Sequence, residues 1–269
     1  AFDARRRAEH RSRRPALFGS RLHQHKDILP AHLAQPGSGH HRAHLGIVDQ
    51  HDARAKRPDI LIGRLHKLAA RRGNRTGDVA GFDFNGRRLW HKSLGRPDSA
   101  YGYASSLDTY EKLVLIQYDQ GDGKDGKSRL FALDGLTGQV AWEAKRSLPS
   151  SWTTPVVVDV AGRPQLITVA NPFVVSYNPA DGKELWRADC VGGDLAPSPI
   201  CAGGLVFAIQ PYSQMVAIKP TGKGDVTKTH VAWKAEDGIP DICSPVSNGT
   251  YVYLLDSEGL VTCYKVEDG

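Results

Sequence analysis

From residue 77 onward the apolar residues fall in short runs separated by Gly, Pro, Asn and Asp. Residues 113–118 read LVLIQY, followed by a second β-rich run over 129–134. The clearest set comes next: 155–159, 165–169, 173–177 and 184–186, each rich in Val, Ile, Leu or aromatic residues. Runs this short, bounded by turn formers, predict strands and not helices. Four strands in about 40 residues make one small antiparallel sheet of the blade type. A further set follows at 198–200, 205–209, 215–218 and 230–233, and then 244–246, 251–255 and 260–264. The chain therefore spells the tail of one blade, three blades and most of a fifth, an all-β protein.

A turn motif recurs with these sheets. Ala132-Leu-Asp134-Gly-Leu-Thr137-Gly138-Gln-Val-Ala-Trp142 ends one strand, turns tightly and returns to a tryptophan. Asp and Thr side chains can bond the turn backbone, and Gly138 supplies a left-handed position. A second copy runs from Ser176 and Asn178 through Asp181 and Gly182 to Trp186, and an earlier one from Phe82 through Asn85-Gly86 to Trp90. The Asn-Gly pair in that earlier copy predicts a type I′ hairpin turn. A looser copy begins Ala217-Ile-Lys219-Pro and reaches Trp233 after an insertion over 221–230, and the last stands at Cys263 to Gly269. The motif tryptophans Trp90, Trp142, Trp186 and Trp233 are 52, 44 and 47 residues apart, a period that points to propeller blades.

These repeats resemble the PQQ-like (pyrroloquinoline quinone) β-propeller repeat family, whose blade signature is Ala-x-Asp-x-x-Thr-Gly-x-x-x-Trp. Ala132, Asp134, Thr137, Gly138 and Trp142 match every fixed position. The resemblance covers roughly residues 77–269 and implies that Trp90, Ala132, Asp134, Gly138, Trp142, Gly182, Trp186 and Trp233 dock neighbouring blades. It also implies a closed ring of seven or eight blades, of which this chain is expected to hold about four to five. A partial ring would leave its end sheets with exposed apolar surface and unpaired edges.

Charge divides the chain. Residues 1–75 carry 17 Lys+Arg against 6 Asp+Glu, and 9 of the 11 histidines, whereas the remainder is mildly acidic. Nothing in the acidic part favours nucleic acid. The first 76 residues hold no apolar stretch long enough for a secretory signal or a membrane span, and no sustained helical or strand period. Three readings compete for them: a basic arm that binds an acidic surface, a small helical domain, or an out-of-frame reading of GC-rich DNA. The last accounts best for abundant Arg, His, Ala, Gly and Pro with almost no aromatics.

Candidate chemistry is sparse. His40, His41, His44 and His51 lie near Asp49 and Asp52, but no spacing matches a defined zinc motif, so no metal site is assigned. Residues 119–126 form an acidic Gly-rich loop that lacks the spacing and closing Glu of a calcium loop, and they read as a solvated hairpin. Each blade is entered through a related phrase: Ser105-Ser106, Thr154-Pro155, Ser198-Pro199 and Ser244-Pro245. On that register Tyr103, Trp152, Asp194 and Asp241 stand near one mouth of a central channel, as candidate binding residues. The preferred reading is the plainer one, in which Trp152 and Tyr103 pack in the loops and the Asp residues cap turns. Nucleophile-elbow, zincin and phosphate-loop motifs are absent, so no catalytic residue is assigned. Cys190, Cys201, Cys243 and Cys263 form no Cys-x-x-Cys pair; Cys190 and Cys201 could pair only under oxidising conditions.

Two functions follow from the resemblance. The preferred one is a non-catalytic scaffold that binds protein or ligand, without cofactor, like the bacterial outer-membrane assembly propeller. Its partner is a protein, or further blades of the same propeller. The alternative is a piece of a quinoprotein dehydrogenase that oxidises alcohols or sugars with PQQ and calcium. Such enzymes place a vicinal Cys-Cys beside the quinone, which this sequence lacks. By the same resemblance the protein is expected to be periplasmic or extracellular.

Overall fold

A computed structural model describes residues 60–62 and 76–269 apart from Ala161. The candidate His/Asp cluster at 40–52 and nearly all of the basic segment lie outside the described residues. Every regular element described is a strand, and the strands form five separate sheets in chain order. The first contains β1 (Ile60–Ile62), β2 (Asp78–Asp83) and β3 (Arg88–Ser93). The second contains β4 (Asp108–Tyr110), β5 (Leu113–Tyr118), β6 (Arg129–Asp134) and β7 (Val140–Lys145). The third is built from β8 (Val156–Val160), β9 (Arg163–Ala170), β10 (Phe173–Tyr177) and β11 (Glu184–Asp189). The fourth holds β12 (Ile200–Ala202), β13 (Leu205–Gln210), β14 (Gln214–Ile218) and β16 (Val231–Ala235). Between the last two lies β15 (Gly224–Asp225), and the fifth sheet is β17 (Val246–Ser247), β18 (Tyr251–Leu255) and β19 (Val261–Lys265).

Within each sheet the strands meander antiparallel, but two features depart from the expected pattern. The insertion over 221–230 contributes a strand. Its β15 pairs in parallel with β11, setting Gly224 beside Trp186, and makes the third sheet five-stranded. The turn after β2 is not type I′ either. Asn85 does not take a positive φ, whereas Gly86 does (78°), and Asp83 N bonds Arg87 O across a three-residue loop. This is a type I turn closed by a glycine, the next most common hairpin connection.

The sheets pack face to face, and this layering makes the core. Central strands such as β5 are buried on both faces, so they read as continuous apolar runs and lack alternation. One cluster joins Ile167, Val169 and Val174 of the third sheet to Val206, Ala208 and Val216 of the fourth. Another joins Phe207, Ile209, Met215 and Ala217 of the fourth to Val252, Leu254 and Val266 of the fifth.

Polar contacts repeat from sheet to sheet as well. Trp90 Nε1 donates to Gly135 O at 2.8 Å, Trp142 Nε1 to Pro179 O at 3.1 Å, and Trp233 Nε1 to Val266 O at 3.2 Å. Each acceptor is the fourth residue of the next sheet's turn motif, counted from Ala132, Ser176 and Cys263. The residue opposite each tryptophan is small: Gly81, Ala132, Ser176 and Ala217. Asp134 caps its own turn, its Oδ1 accepting from Leu136 N, Thr137 N and Thr137 Oγ1 at 3.0–3.1 Å. Asn178 does the same for Ala180 N.

The strand-entry hydroxyls form a second relay. Ser106 N donates to Thr154 Oγ1 (2.9 Å), Thr154 N to Ser198 Oγ (2.8 Å) and Ser198 N to Ser244 Oγ (2.9 Å). Each of these residues precedes its first strand by two positions, so Ser106, and not Ser105, is the counterpart of Thr154. The second sheet lacks the proline that marks the other entries, which blurs the register in sequence.

The turn glycines carry a testable consequence. Gly138 has φ of 69°, and a Cβ there would meet the Trp90 ring at 2.5 Å; Gly182 stands likewise (72°) against Trp142 at 2.6 Å. Gly138→Ala is expected to destabilise by about 2 kcal/mol or more, combining left-handed strain with displacement of the indole. Urea denaturation checks this, and a variant as stable as wild type would show that the turn does not hold Trp90.

Candidate functional site

The four candidate mouth residues divide into a group and an outlier. Trp152 contacts the segment that leads into the second sheet beside Tyr103, whose own ring packs with the cluster shared by the first and second sheets. Trp152 Nε1 donates to Gly102 O at 3.1 Å, and its ring meets Tyr101 edge-on at 5.2 Å. Its backbone N–H donates to Leu195 O at 2.9 Å, which brings the exposed Asp194 segment against it. Asp241 is tied elsewhere. Its carboxylate accepts from Ser257 Oγ and, at 3.0 Å, from Tyr212 Oη, and these bonds hold it below the usual carboxylate range.

Beneath Tyr103 lies a polar cluster that sequence reading missed. Asp119 and Arg146, at the ends of β5 and β7, are fully buried with Oδ2 and Nη1 3.1 Å apart. Gln117 Nε2 donates to Asp119 Oδ2 (2.7 Å), Thr153 Oγ1 (3.2 Å) and Val169 O (3.0 Å), crossing from the second sheet to the third. Arg146 Nη2 donates to Thr168 Oγ1 at 3.1 Å, and its guanidinium lies 5.7 Å over the Tyr177 ring. Among protein atoms alone, burial pushes the Asp119 carboxyl up to about 6, against the opposing pull of Arg146 and the Gln117 amide. Burial, reinforced by the Asp119 charge, also pushes the Tyr103 hydroxyl far above its ordinary range.

Asp119 is therefore no part of a solvated loop. The rest of that loop is consumed locally: Asp122 Oδ1 caps Lys124 N, and Lys127 bridges Asp98 and Asp125. The signal that marks the cluster in sequence is Gln117, polar in the middle of a buried run. By strand pairing it occupies the position of Val169 in the third sheet and Ile209 in the fourth.

No group of three or more His, Cys, Asp or Glu side chains among the described residues stands close enough to hold a metal ion. All four cysteines are free thiols, and Cys190 and Cys201 are not bonded to each other. Burial raises both of those thiols above their ordinary range.

With the sheets and their repeating contacts established, comparison places the chain. The sequence model described as outer membrane protein assembly factor BamB matches residues 73–269. The chain belongs to this BamB-like PQQ-repeat family. Among solved structures it resembles BamB from Moraxella catarrhalis, with 20% identity and a TM-score of 0.52, covering 71% of this chain and 56% of that one. It also resembles the quinohemoprotein alcohol dehydrogenase of Comamonas testosteroni, with 12% identity and a TM-score of 0.53, covering 72% and 48%. A europium-containing methanol dehydrogenase matches with 12% identity and a TM-score of 0.52, covering 73% and 59%. The chain thus spans about half the length of these structures, and at such identities the likeness shows the β-propeller fold alone. No curated protein matches it in sequence. No helix among the described residues is long and apolar enough to cross a membrane.

Proposed function

We propose that this BamB-like chain is a non-catalytic β-propeller scaffold that binds protein, and that the outer face of the fifth sheet is its binding surface. One observation carries this reading. In the fourth sheet the cross-strand pairs Phe207–Ala217 and Ile209–Met215 are fully buried against the fifth. The fifth sheet repeats the same pattern with Tyr253–Cys263 and Leu255–Val261. There Leu255 is 44% and Val261 61% exposed, with Val246 and Leu260 exposed beside them. A face built like an inter-sheet contact and left open favours a β-rich protein surface, including further blades of the same repeat.

On this reading residues 77–269 are the binding module, residues 1–76 a separate basic segment, and no cofactor takes part. A periplasmic or extracellular setting suits the family. The test is capture of a partner from an extract of the source cells on immobilised chain. Leu255→Glu with Val261→Glu should reduce capture at least tenfold, while Leu136→Glu, a change at an exposed turn of the second sheet, should not. Equal capture by both variants overturns the surface. Dye reduction with alcohols on adding PQQ and calcium would replace the scaffold by the enzyme.

A further inference from the structure

Six buried side-chain polar atoms among the described residues lack a protein hydrogen-bond partner, and all six belong to one cluster. They are Tyr103 Oη, Ser105 Oγ, Gln117 Oε1, Asp119 Oδ1, Arg146 Nε and Arg146 Nη1. The last of these stands in ion-pair contact with Asp119 Oδ2 without hydrogen-bond geometry. Buried polar groups in native proteins are otherwise almost always satisfied, because each unpaired one costs about 1–3 kcal/mol. Tyr103 Oη and Ser105 Oγ stand close enough to interact with each other, and the four atoms of Gln117, Asp119 and Arg146 at a single junction point to something further that bonds them.

The atoms themselves define its chemistry. Gln117 Oε1 and Asp119 Oδ1 only accept, Arg146 Nε and Nη1 only donate, and the Tyr103 and Ser105 hydroxyls do either. The opposite charges of Asp119 and Arg146 cancel, so a charged ligand gains no net attraction there. A small neutral molecule that both donates and accepts fits this set, and water is the smallest. A buried water makes about three such bonds, so two waters suffice for six atoms.

We propose that the Gln117–Asp119–Arg146 cluster is a buried hydration site, in which ordered water joins the second and third sheets beneath Tyr103. Gln117 creates the site by placing an amide where Val169 and Ile209 stand in neighbouring sheets. The Thr153 hydroxyl and Val169 carbonyl already serve that amide, which leaves its oxygen for water. Water donating to Tyr103 Oη or accepting from it would hold the ring, stacked at 5.4 Å on Tyr118, in one orientation at the mouth.

Two measurements on the 269-residue chain test this. A crystal structure at about 1.8 Å or better should show water within about 3.2 Å of at least three of the six atoms. Direct pairing of those atoms with no solvent density overturns the proposal. In solution, the side-chain amide protons of Gln117 should show NMR cross-relaxation with a long-lived water, and its absence also overturns the site.

Discussion

Arg146→Met should lower the stability of the chain by about 3–5 kcal/mol, the cost of leaving one member of a buried ion pair uncompensated. Arg146 and Asp119 are both fully buried at 3.1 Å, so removing Arg146 leaves the carboxylate without its counter-charge, with only the Gln117 amide and ordered water to solvate it. Thr168 Oγ1 also loses its guanidinium donor, and Tyr177 its overlying cation. The loss should depend on pH in a defined sense. Burial already raises the folded-state pKa of Asp119 above its unfolded value, and removing Arg146 takes away the chief opposing pull. A carboxyl raised in this way favours the folded state fully below its unfolded pKa of about 3.9, and that contribution is lost as pH rises through the folded value. The deficit of Arg146→Met should therefore be largest near pH 8 and shrink on acidification toward pH 5. Adding Asp119→Leu should recover most of it, because an apolar pair of similar volume is often no worse than a buried ion pair. Urea midpoints for wild type and the two variants across that range decide the matter. A single variant as stable as wild type at pH 8 would mean that Asp119 is already neutral or solvated there.

The sheets were legible because they are built from local, repeated signals. The run at 113–118, the Asp134-to-Gly138 turn and the spacing of Trp90, Trp142, Trp186 and Trp233 each report on neighbours close in sequence. Legibility failed where partners meet across sheets. Asp119 borders a Gly-rich acidic loop, and Arg146 ends a strand with largely exposed alternate residues, so neither looks buried in sequence. Their union depends on how the ends of β5 and β7 meet the third sheet, which no periodicity encodes. Gln117 was the available clue, since an amide in a strand buried on both faces requires partners. The candidate mouth residues part for the same reason: Trp152 bonds Gly102 beside Tyr103, whereas Asp241 is held by Tyr212 and Ser257.

Trp186→Ala should cost about 3–5 kcal/mol, and more than Trp142→Ala. Three tryptophans reach the next turn directly, through Gly135, Pro179 and Val266. Trp186 is completely buried and works through an intermediary. Its Nε1 donates to Gln165 Oε1 at 2.7 Å, and Gln165 Nε2 donates to Pro220 O at 2.7 Å. Pro220 is the residue that corresponds to Gly135 and Pro179, so the contact between sheets is preserved with one amide interposed. The insertion over 221–230 accompanies this change, because its β15 lies against β11 at Trp186. Deleting the indole opens a cavity in the cluster shared by the third and fourth sheets. Trp142 is only half-buried and leaves a smaller void. Trp186→Phe keeps most of the bulk and loses the N–H, so it should cost about 1 kcal/mol. Gln165→Leu should cost more than Trp186→Phe, since it strands both the indole N–H and the Pro220 carbonyl in a buried site, at about 1–3 kcal/mol each. Chemical denaturation of the four variants gives the order directly. If Trp142→Ala proves the more damaging, the third and fourth sheets are not held together through Trp186, and the apolar layer alone joins them.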